Sequence, residues 1–157
     1  MAEQMVIDAS VAAKWFLKDS SEADVDLADQ LLVALLADDI EMHAPRVFTY
    51  EVCSLLTKAC LTRDRQTKEP RLTKRDAAEC VRRLFRLPIQ HSQASSMEGV
   101  EALELAVDSS KTHYDMTYLR LAQELACHWC TADDNAVKAV PANFPVDHIL
   151  LLSTLRD

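Results

Sequence analysis

The chain has 157 residues, of which 49% are hydrophobic and 27% charged, a composition typical of one globular domain. Its single glycine, Gly99, excludes Gly-rich phosphate loops and disfavours an all-β fold built on tight hairpins, since both need several residues with positive φ. An odd number of cysteines, an N-terminus without a signal-like run and the absence of any long apolar stretch predict a cytoplasmic protein with reduced thiols and no membrane span.

Apolar periodicity and cap residues predict strands that alternate with helices. The first predicted elements are a strand at 5–8, a helix at 11–17 capped by Ser10, a helix opened by a capping box at 21–24 and a strand at 40–44. A helix at 47–61, a loop at 64–72, a helix at 73–87 and a strand at 89–91 are predicted next. The last predicted elements are helices at 95–107 and 115–126, a strand at 128–132, a short helix at 134–139 and a strand at 146–152. This alternation predicts a three-layer α/β/α sandwich with a mostly parallel sheet of four to five strands, in a single domain over 1–157.

Four acidic residues fall where such a fold would bring them together: Asp8, Glu51, Asp115 and Asp133. Asp8 and Asp133 follow predicted strands, and the carboxyl ends of parallel strands share the sheet edge where ligands bind. Glu51 has apolar neighbours on its helix, a position that a carboxylate seldom occupies without a cation or strong donors. Helix capping, or for Glu51 a pairing with Lys58, is the structural alternative for each residue taken alone.

The segments VIDASVA at 6–12, YEV at 50–52, YDMTYLRLA at 114–122 and TAD at 131–133 together resemble the PIN-domain pattern, most closely that of VapC-type toxin endoribonucleases. The resemblance implies a PIN-like fold, Mg²⁺ or Mn²⁺ as cofactor, an RNA substrate, a small antitoxin partner and a homodimer. It assigns Asp8, Glu51, Asp115 and Asp133 as metal-binding and catalytic residues, with Ser10 and Thr131 as polar helpers. Either Asp133 or the adjacent Asp134 can face the metal, and Asp133 is preferred because it comes first after the strand.

Carboxylate oxygens are the ligands that Mg²⁺ and Mn²⁺ prefer, and such ions activate water for attack on a phosphodiester. The net charge of −8 disfavours an RNA partner, but the charge is uneven. Residues 58–86 hold ten basic and four acidic residues, a net +6, whereas the remainder holds 7 basic and 21 acidic residues, a net −14. This stretch is either a solvated surface or a surface for phosphates. Its predicted RNA-contacting residues are Arg63, Arg65, Lys68, Arg71, Lys74 and Arg75.

Two other functions fit parts of the pattern. A catalytically quiet domain of the same fold would serve as a binding module, but all four acidic positions are filled. An aspartyl-phosphate phosphohydrolase or receiver-like domain would use Asp8 as phosphoacceptor, but Ser10 stands where a phosphohydrolase wants a second acid. The apolar positions of the helix at 27–36 can supply a dimer contact, and the CxxC at 127–130 is interpreted as core packing because no second close pair accompanies it.

Overall fold

Five parallel strands form one sheet in the computed structural model, which describes residues 2–156. The strands are β1 (Glu3–Ile7), β2 (Ile40–Ala44), β3 (Gln90–His91), β4 (His128–Thr131) and β5 (Ile149–Leu151). Their order is β3-β2-β1-β4-β5, and every neighbouring pair is parallel. The α/β prediction is therefore confirmed, with helices on both faces of the sheet.

Six α-helices connect the strands: α1 (Ala9–Ala12), α2 (Val25–Leu36), α3 (Val47–Leu61), α4 (Lys74–Leu84), α5 (Ser96–Ser109) and α6 (His113–Glu124). Short 3₁₀ turns follow at Ala13–Trp15, Asp134–Val137, Val146–His148 and Leu152–Arg156. The strand predicted at 146–152 is shorter in the structure, where β5 has only three residues, because a 3₁₀ turn precedes it and another follows it. The predicted helix at 134–139 is a single 3₁₀ turn.

Several predicted helix starts are wrong by a few residues because the observed caps differ from the predicted ones. Asp8, and not Ser10, caps α1 by accepting a hydrogen bond from the Ser10 backbone N–H. No capping box opens α2, which follows a left-handed Asp24 without a side-chain cap. Thr112 caps α6, so Asp115 lies in its first turn and not at its start. The caps predicted at residues 73 and 95 are confirmed, the second as a complete capping box.

The core lies between the sheet and the apolar faces of α3 and α6. The fully buried side chains of the helices recur at helical spacing, whereas the buried residues of β1 and β4 are consecutive, as in a sheet that is covered on both faces. Each large buried side chain contributes roughly 1.5–3 kcal/mol by leaving water. Among them are Val6, Ile7, Phe48, Val52, Leu56, Met116, Leu119 and Trp129. Because β1 and β4 are central and adjacent, the residues directly after them are held on a rigid base. No helix within residues 2–156 has the length and apolarity that a membrane crossing demands.

The chain runs from β1 outward to β2 and β3, then returns to place β4 on the other side of β1. The point between β1 and β4 is therefore the topological switch of the sheet, where open α/β folds leave a crevice beyond the strand ends. Asp8 directly follows β1, and Asp133 comes two residues after β4. The connectivity of the fold accordingly places both acids at this crevice.

Candidate metal centre

A cleft of about 360 Å³ opens at the carboxyl ends of β1 and β4 and contains all four predicted acids. Its lining also includes both predicted polar helpers. The lining residues are Asp8, Ala9, Ser10, Glu51, Ser54, Leu55, Lys58, Asp115, Trp129, Thr131 and Asp133. Asp134 does not line the cleft, so the geometry favours Asp133 of the two adjacent acids.

Asp8 is the most enclosed of the four carboxylates, with only 7% of the residue exposed. Its Oδ2 accepts the Ser10 N–H at 2.9 Å, and its Oδ1 accepts the indole N–H of Trp129 at 3.0 Å. Burial raises the pKa of Asp8 in spite of these hydrogen bonds, which lower it. The carboxylate is thus fixed in orientation, and each of its oxygens keeps a lone pair for a further partner.

Glu51 reaches the cleft from α3, one helical turn after Val47. Burial, and next repulsion by the Asp8 carboxylate, raise the pKa of Glu51 to about 7. The Tyr118 hydroxyl lies near enough to lower that pKa, but it completes no hydrogen bond of normal geometry with Glu51. Within residues 2–156, both Glu51 Oε1 and the Tyr118 hydroxyl are buried without a hydrogen-bond partner. An unpartnered buried carboxylate oxygen is costly, which indicates that a ligand belongs beside it.

Asp115 and Asp133 form the more open side of the cleft. Burial raises the pKa of Asp115; the nearby Asp133 carboxylate also raises it, and Lys111 opposes the shift. Lys111 itself donates to the backbone carbonyls of Asn135 and Lys138, which ties down the turn after Asp133. It therefore does not neutralise either acid directly.

A short hydrogen-bond network holds the segment between β4 and Asp133. Ser10 Oγ accepts the Ala132 N–H at 3.0 Å and lies 3.4 Å from Thr131 Oγ1. Thr131 Oγ1 in turn accepts the Asp133 N–H at 3.1 Å. Ser10 and Thr131 thus act on backbone groups, and their contribution is to fix where Asp133 stands.

The donor set of the cleft fits a hard divalent cation. None of the four acids forms an ion pair with any residue in the range 2–156, although they repel one another. Carboxylate oxygens are the ligand type that Mg²⁺ and Mn²⁺ select. In the same range, however, no three His, Cys, Asp or Glu side chains stand close enough to enclose a metal ion as they are placed. Binding would therefore draw the acids together.

The basic residues predicted to contact RNA differ in their solvent exposure and in whether they form ion pairs. Arg63 and Pro70 form a small antiparallel bridge, and Arg63 and Lys68 donate to backbone carbonyls of the turn between them. Arg71 pairs with Asp19 at 2.9 Å and with Glu22 at 2.8 Å, and only 20% of its side chain is exposed. The others, Arg63, Arg65, Lys68, Lys74 and Arg75, are exposed and make no ion pair within the described chain.

Two residues of the site were missed from the sequence, Trp129 and Tyr118. Their rings stack with centroids 5.9 Å apart and planes 16° apart beneath the acids. The Trp129 indole N–H reaches Asp8, and the Tyr118 hydroxyl faces Glu51. A tryptophan in a buried strand gives one usable signal, because its N–H needs an acceptor that an apolar core does not supply.

Two solved structures share this fold. The crystal structure of PAE2754 from Pyrobaculum aerophilum matches with a TM-score of 0.63 and 18% identity, over 99% of this chain and 95% of that chain. The crystal structure of VapC20 from Mycobacterium tuberculosis, described as a sarcin–ricin loop cleaving toxin, matches with a TM-score of 0.60 and 14% identity, over 90% of this chain and 99% of that chain. No protein-family model and no curated protein matches the sequence. At these identities the similarity establishes a shared, PIN-like fold.

Proposed function

We propose that this protein is a Mg²⁺- or Mn²⁺-dependent endoribonuclease that hydrolyses RNA phosphodiester bonds, acting as the toxin of a toxin–antitoxin module in the cytoplasm. One observation carries the proposal: among residues 2–156, the four carboxylates that line one cleft make no ion pair, and a buried oxygen of one of them, Glu51 Oε1, has no hydrogen-bond partner. Support comes from the fold, which this chain shares with VapC20, a sarcin–ricin loop cleaving toxin.

In this proposal Asp8, Glu51, Asp115 and Asp133 would hold the cation, which as a Lewis acid would polarise the phosphodiester and make a water easier to deprotonate. Asp8 is preset by the hydrogen bonds from Ser10 and Trp129, so it does not need to be reoriented. Asp133 is held in place through its own backbone by Thr131. Fixed ligands reduce the reorganisation that a site needs, although the four acids must still move closer together to enclose the cation.

Glu51 is the carboxylate best placed to take a proton from the attacking water. A general base needs a free oxygen near the attacking water, and Glu51 Oε1 is buried at the cleft without a hydrogen-bond partner among residues 2–156. The water oxygen then bonds to phosphorus, the bond to the leaving ribose oxygen breaks, and solvent returns a proton to that oxygen. Lys58, which also lines the cleft, is placed to contact the RNA phosphates there.

The function is tested by RNA cleavage with and without Mg²⁺ or Mn²⁺, comparing the wild type with Asp115→Asn and Asp134→Asn. The two variants make the same change, but only the first alters the cleft. We expect Asp115→Asn to lose about 100-fold or more in cleavage rate, as removal of a preorganised charged group from an active site does. Asp134→Asn should cleave like the wild type.

Equal activity of both variants would remove the proposal. Mn²⁺ binding without any RNA cleavage would favour the catalytically quiet binding module. Phosphorylation of Asp8 by a small phosphodonor would favour the aspartyl-phosphate alternative, which the enclosure of that side chain opposes.

The proposed assembly is a homodimer that a small antitoxin restrains by covering the acidic cleft. The exposed apolar side chains of α5 give the larger contact surface, and they are Met97, Val100, Leu103 and Val107. The predicted contact on the 27–36 helix is less suitable, because Leu27 and Leu35 are buried in the core. Of its large apolar residues, Val33 and Leu36 are the exposed ones. Light scattering of the wild type and Val107→Glu tests this surface, and a monomeric wild type would contradict it.

A further inference from the structure

A second cleft, of about 250 Å³, opens at the same edge of the sheet, where β2 and β3 end. Pro45 follows β2 and Ser92 follows β3, as Asp8 follows β1. We name it the α5–α6 cleft, because those helices supply most of its lining. The residues that line it are Pro45, Arg46, Val47, Ser92, Ala94, Ser95, Glu98, Gly99, His113, Tyr114, Thr117, Arg120 and Leu121.

The α5–α6 cleft and the acidic cleft are neighbours that share two helices. On α3, Val47 lines the first and Glu51 lines the second, about 6 Å further along the helix axis. On α6, Tyr114 lines the first and Asp115 the second. A single strand of RNA cut in the acidic cleft would therefore pass directly to the α5–α6 cleft.

Gly99, the chain's one glycine, lies in the interior of α5 and lines this cleft. A glycine inside a helix destabilises it relative to alanine, and it is normally explained by a positive φ or by close packing of a neighbour. Neither applies here, since the backbone of Gly99 does not have a positive φ and a Cβ added there would meet no atom of residues 2–156 within 4 Å, apart from its chain neighbours and its own helix backbone. The missing side chain leaves space for something outside this chain.

The free charge at the α5–α6 cleft is positive. Arg46 is exposed and has no ion-pair partner within residues 2–156. The one carboxylate in the lining, Glu98, is already paired with Arg120 at 3.1 Å and caps α5. Tyr114 is 61% exposed and presents an aromatic ring at the mouth. Aromatic rings beside a free cation are the parts from which single-stranded nucleic-acid sites are built.

We propose that the α5–α6 cleft binds one nucleobase of the RNA, beside the phosphate held in the acidic cleft, with Tyr114 as its stacking surface and Gly99 leaving room for the ring. Arg46 contacts the phosphate that joins this nucleotide to the next. The proposal rests on the proposed ribonuclease function. It adds that this cleft determines which base the enzyme prefers next to the bond that it cuts.

The test measures RNA binding by fluorescence anisotropy, using short single-stranded RNAs in which one base at a time is removed to leave an abasic nucleotide. All proteins carry Asp115→Asn, so that the RNA stays intact. In this background one abasic position should weaken binding about tenfold, the usual cost of losing one stacked base. Adding Gly99→Leu, which fills the cleft, should weaken binding of the intact RNA by a similar factor and abolish the sensitivity to that position.

The matched control is Ser96→Leu, which adds the same bulk to an exposed residue of α5 that lies outside both the cleft and the proposed dimer surface. It should leave both RNA affinity and abasic sensitivity unchanged. Gly99→Ala provides a milder variant in case leucine disturbs the fold. It should raise the melting temperature by about 2–4 °C, as expected for removing a helical glycine, while still weakening RNA binding.

The outcomes separate the two proposals. RNA that is bound equally well with and without Gly99→Leu overturns the base pocket alone. RNA that no variant binds, and that the wild type does not cleave, overturns the ribonuclease function as well. A change from dimer to monomer with Gly99→Leu, at unchanged RNA affinity per subunit, would show that a second copy of the chain occupies the cleft and would overturn the nucleobase proposal.

Discussion

Trp129 donates its indole N–H to Asp8 Oδ1 at 3.0 Å, across the two central strands of the sheet. The register pairs Val6 with Trp129, so the indole lies one step below the end of β1 and points at the residue after it. Both partners are buried, with Trp129 only 1% exposed. This hydrogen bond links the core of the fold to the orientation of a proposed metal ligand.

Trp129→Phe is expected to weaken both the fold and the metal site. Phenylalanine can preserve stacking on Tyr118, but it leaves Asp8 Oδ1 without its donor. A buried acceptor that loses its partner costs roughly 1–3 kcal/mol of stability. The pKa of Asp8 should rise further, so Mn²⁺ affinity near neutral pH should fall. Urea unfolding and Mn²⁺ titration measure the two effects.

The control for this change is Trp15→Phe, which removes a comparable buried indole hydrogen bond, to the Ala28 carbonyl at 2.8 Å. It should destabilise the protein while leaving Mn²⁺ affinity unchanged. A loss of Mn²⁺ affinity in both variants would mean that Trp129 acts only through general stability.

Stability in the absence of metal should fall as the pH rises from about 4.5 to about 7. Burial and the Asp8 charge raise the pKa of Glu51 from 4.5 to about 7, so in this window the folded protein binds more protons than the unfolded chain. The free energy of unfolding should drop there by roughly 1–2 kcal/mol, a value reduced by the partial exposure of Glu51. Burial shifts the pKa of Asp8 and Asp115 in the same direction.

Glu51→Gln should flatten much of this slope, leaving the part due to Asp8 and Asp115. Mn²⁺ should stabilise the wild type more at about pH 8 than at about pH 5, because the ion competes with protons for the same oxygens. Thermal unfolding across this range, with and without Mn²⁺, checks both statements. A slope that Glu51→Gln leaves intact would contradict the assigned source.

Much of the fold follows from local chemistry. Short apolar runs identified every strand, period-3.6 apolar patterns and cap residues identified every major helix, and the strand ends located Asp8 and Asp133 at one edge. The helix starts were less predictable because capping competes among nearby residues. Asp8 and Ser10 are both good caps by type, and only the geometry at the end of β1 decides that Asp8 accepts the bond.

The parts of the site that were not predicted depend on long-range contacts. The Trp129 hydrogen bond joins residues 121 positions apart, and nothing in the local sequence encodes the register that produces it. The same holds for Arg71, which belongs to a basic run by sequence but reaches back 52 positions to Asp19. The α5–α6 cleft also depends on distant segments, although the single glycine marks one of its walls.

Arg71→Ala should destabilise the protein with little effect on RNA affinity, whereas Arg65→Ala should do the reverse. Arg71 joins the loop before α4 to Asp19 and Glu22 through two partly buried ion pairs. Their loss should cost roughly 1–2 kcal/mol, since charge-assisted bonds of a half-buried arginine exceed surface pairs in strength. Arg65 is exposed and makes no ion pair in the part of the chain that the structure describes, so its removal should reduce the salt dependence of RNA binding by about one phosphate contact.

Urea unfolding and RNA binding at several salt concentrations distinguish the two arginines. The variants match in chemistry and both lie between α3 and α4, so general effects of charge removal cancel in the comparison. Weaker RNA binding by Arg71→Ala, at unchanged stability, would return Arg71 to the predicted RNA-contacting set.

Ser10→Ala should lower cleavage about tenfold or more without removing any proposed metal ligand. Ser10 Oγ accepts the Ala132 N–H, and its loss leaves that donor without a partner directly before Asp133. A small displacement of a positioned catalytic group is enough to cost this much in rate. Ser54→Ala is the matched control, because Ser54 lines the same cleft without a side-chain hydrogen bond within residues 2–156. Cleavage rates and Mn²⁺ titrations should show a defect in Ser10→Ala alone. Equal defects in the two variants would mean that the loss of any hydroxyl from the cleft lowers activity, and that the placement of Asp133 is not the cause.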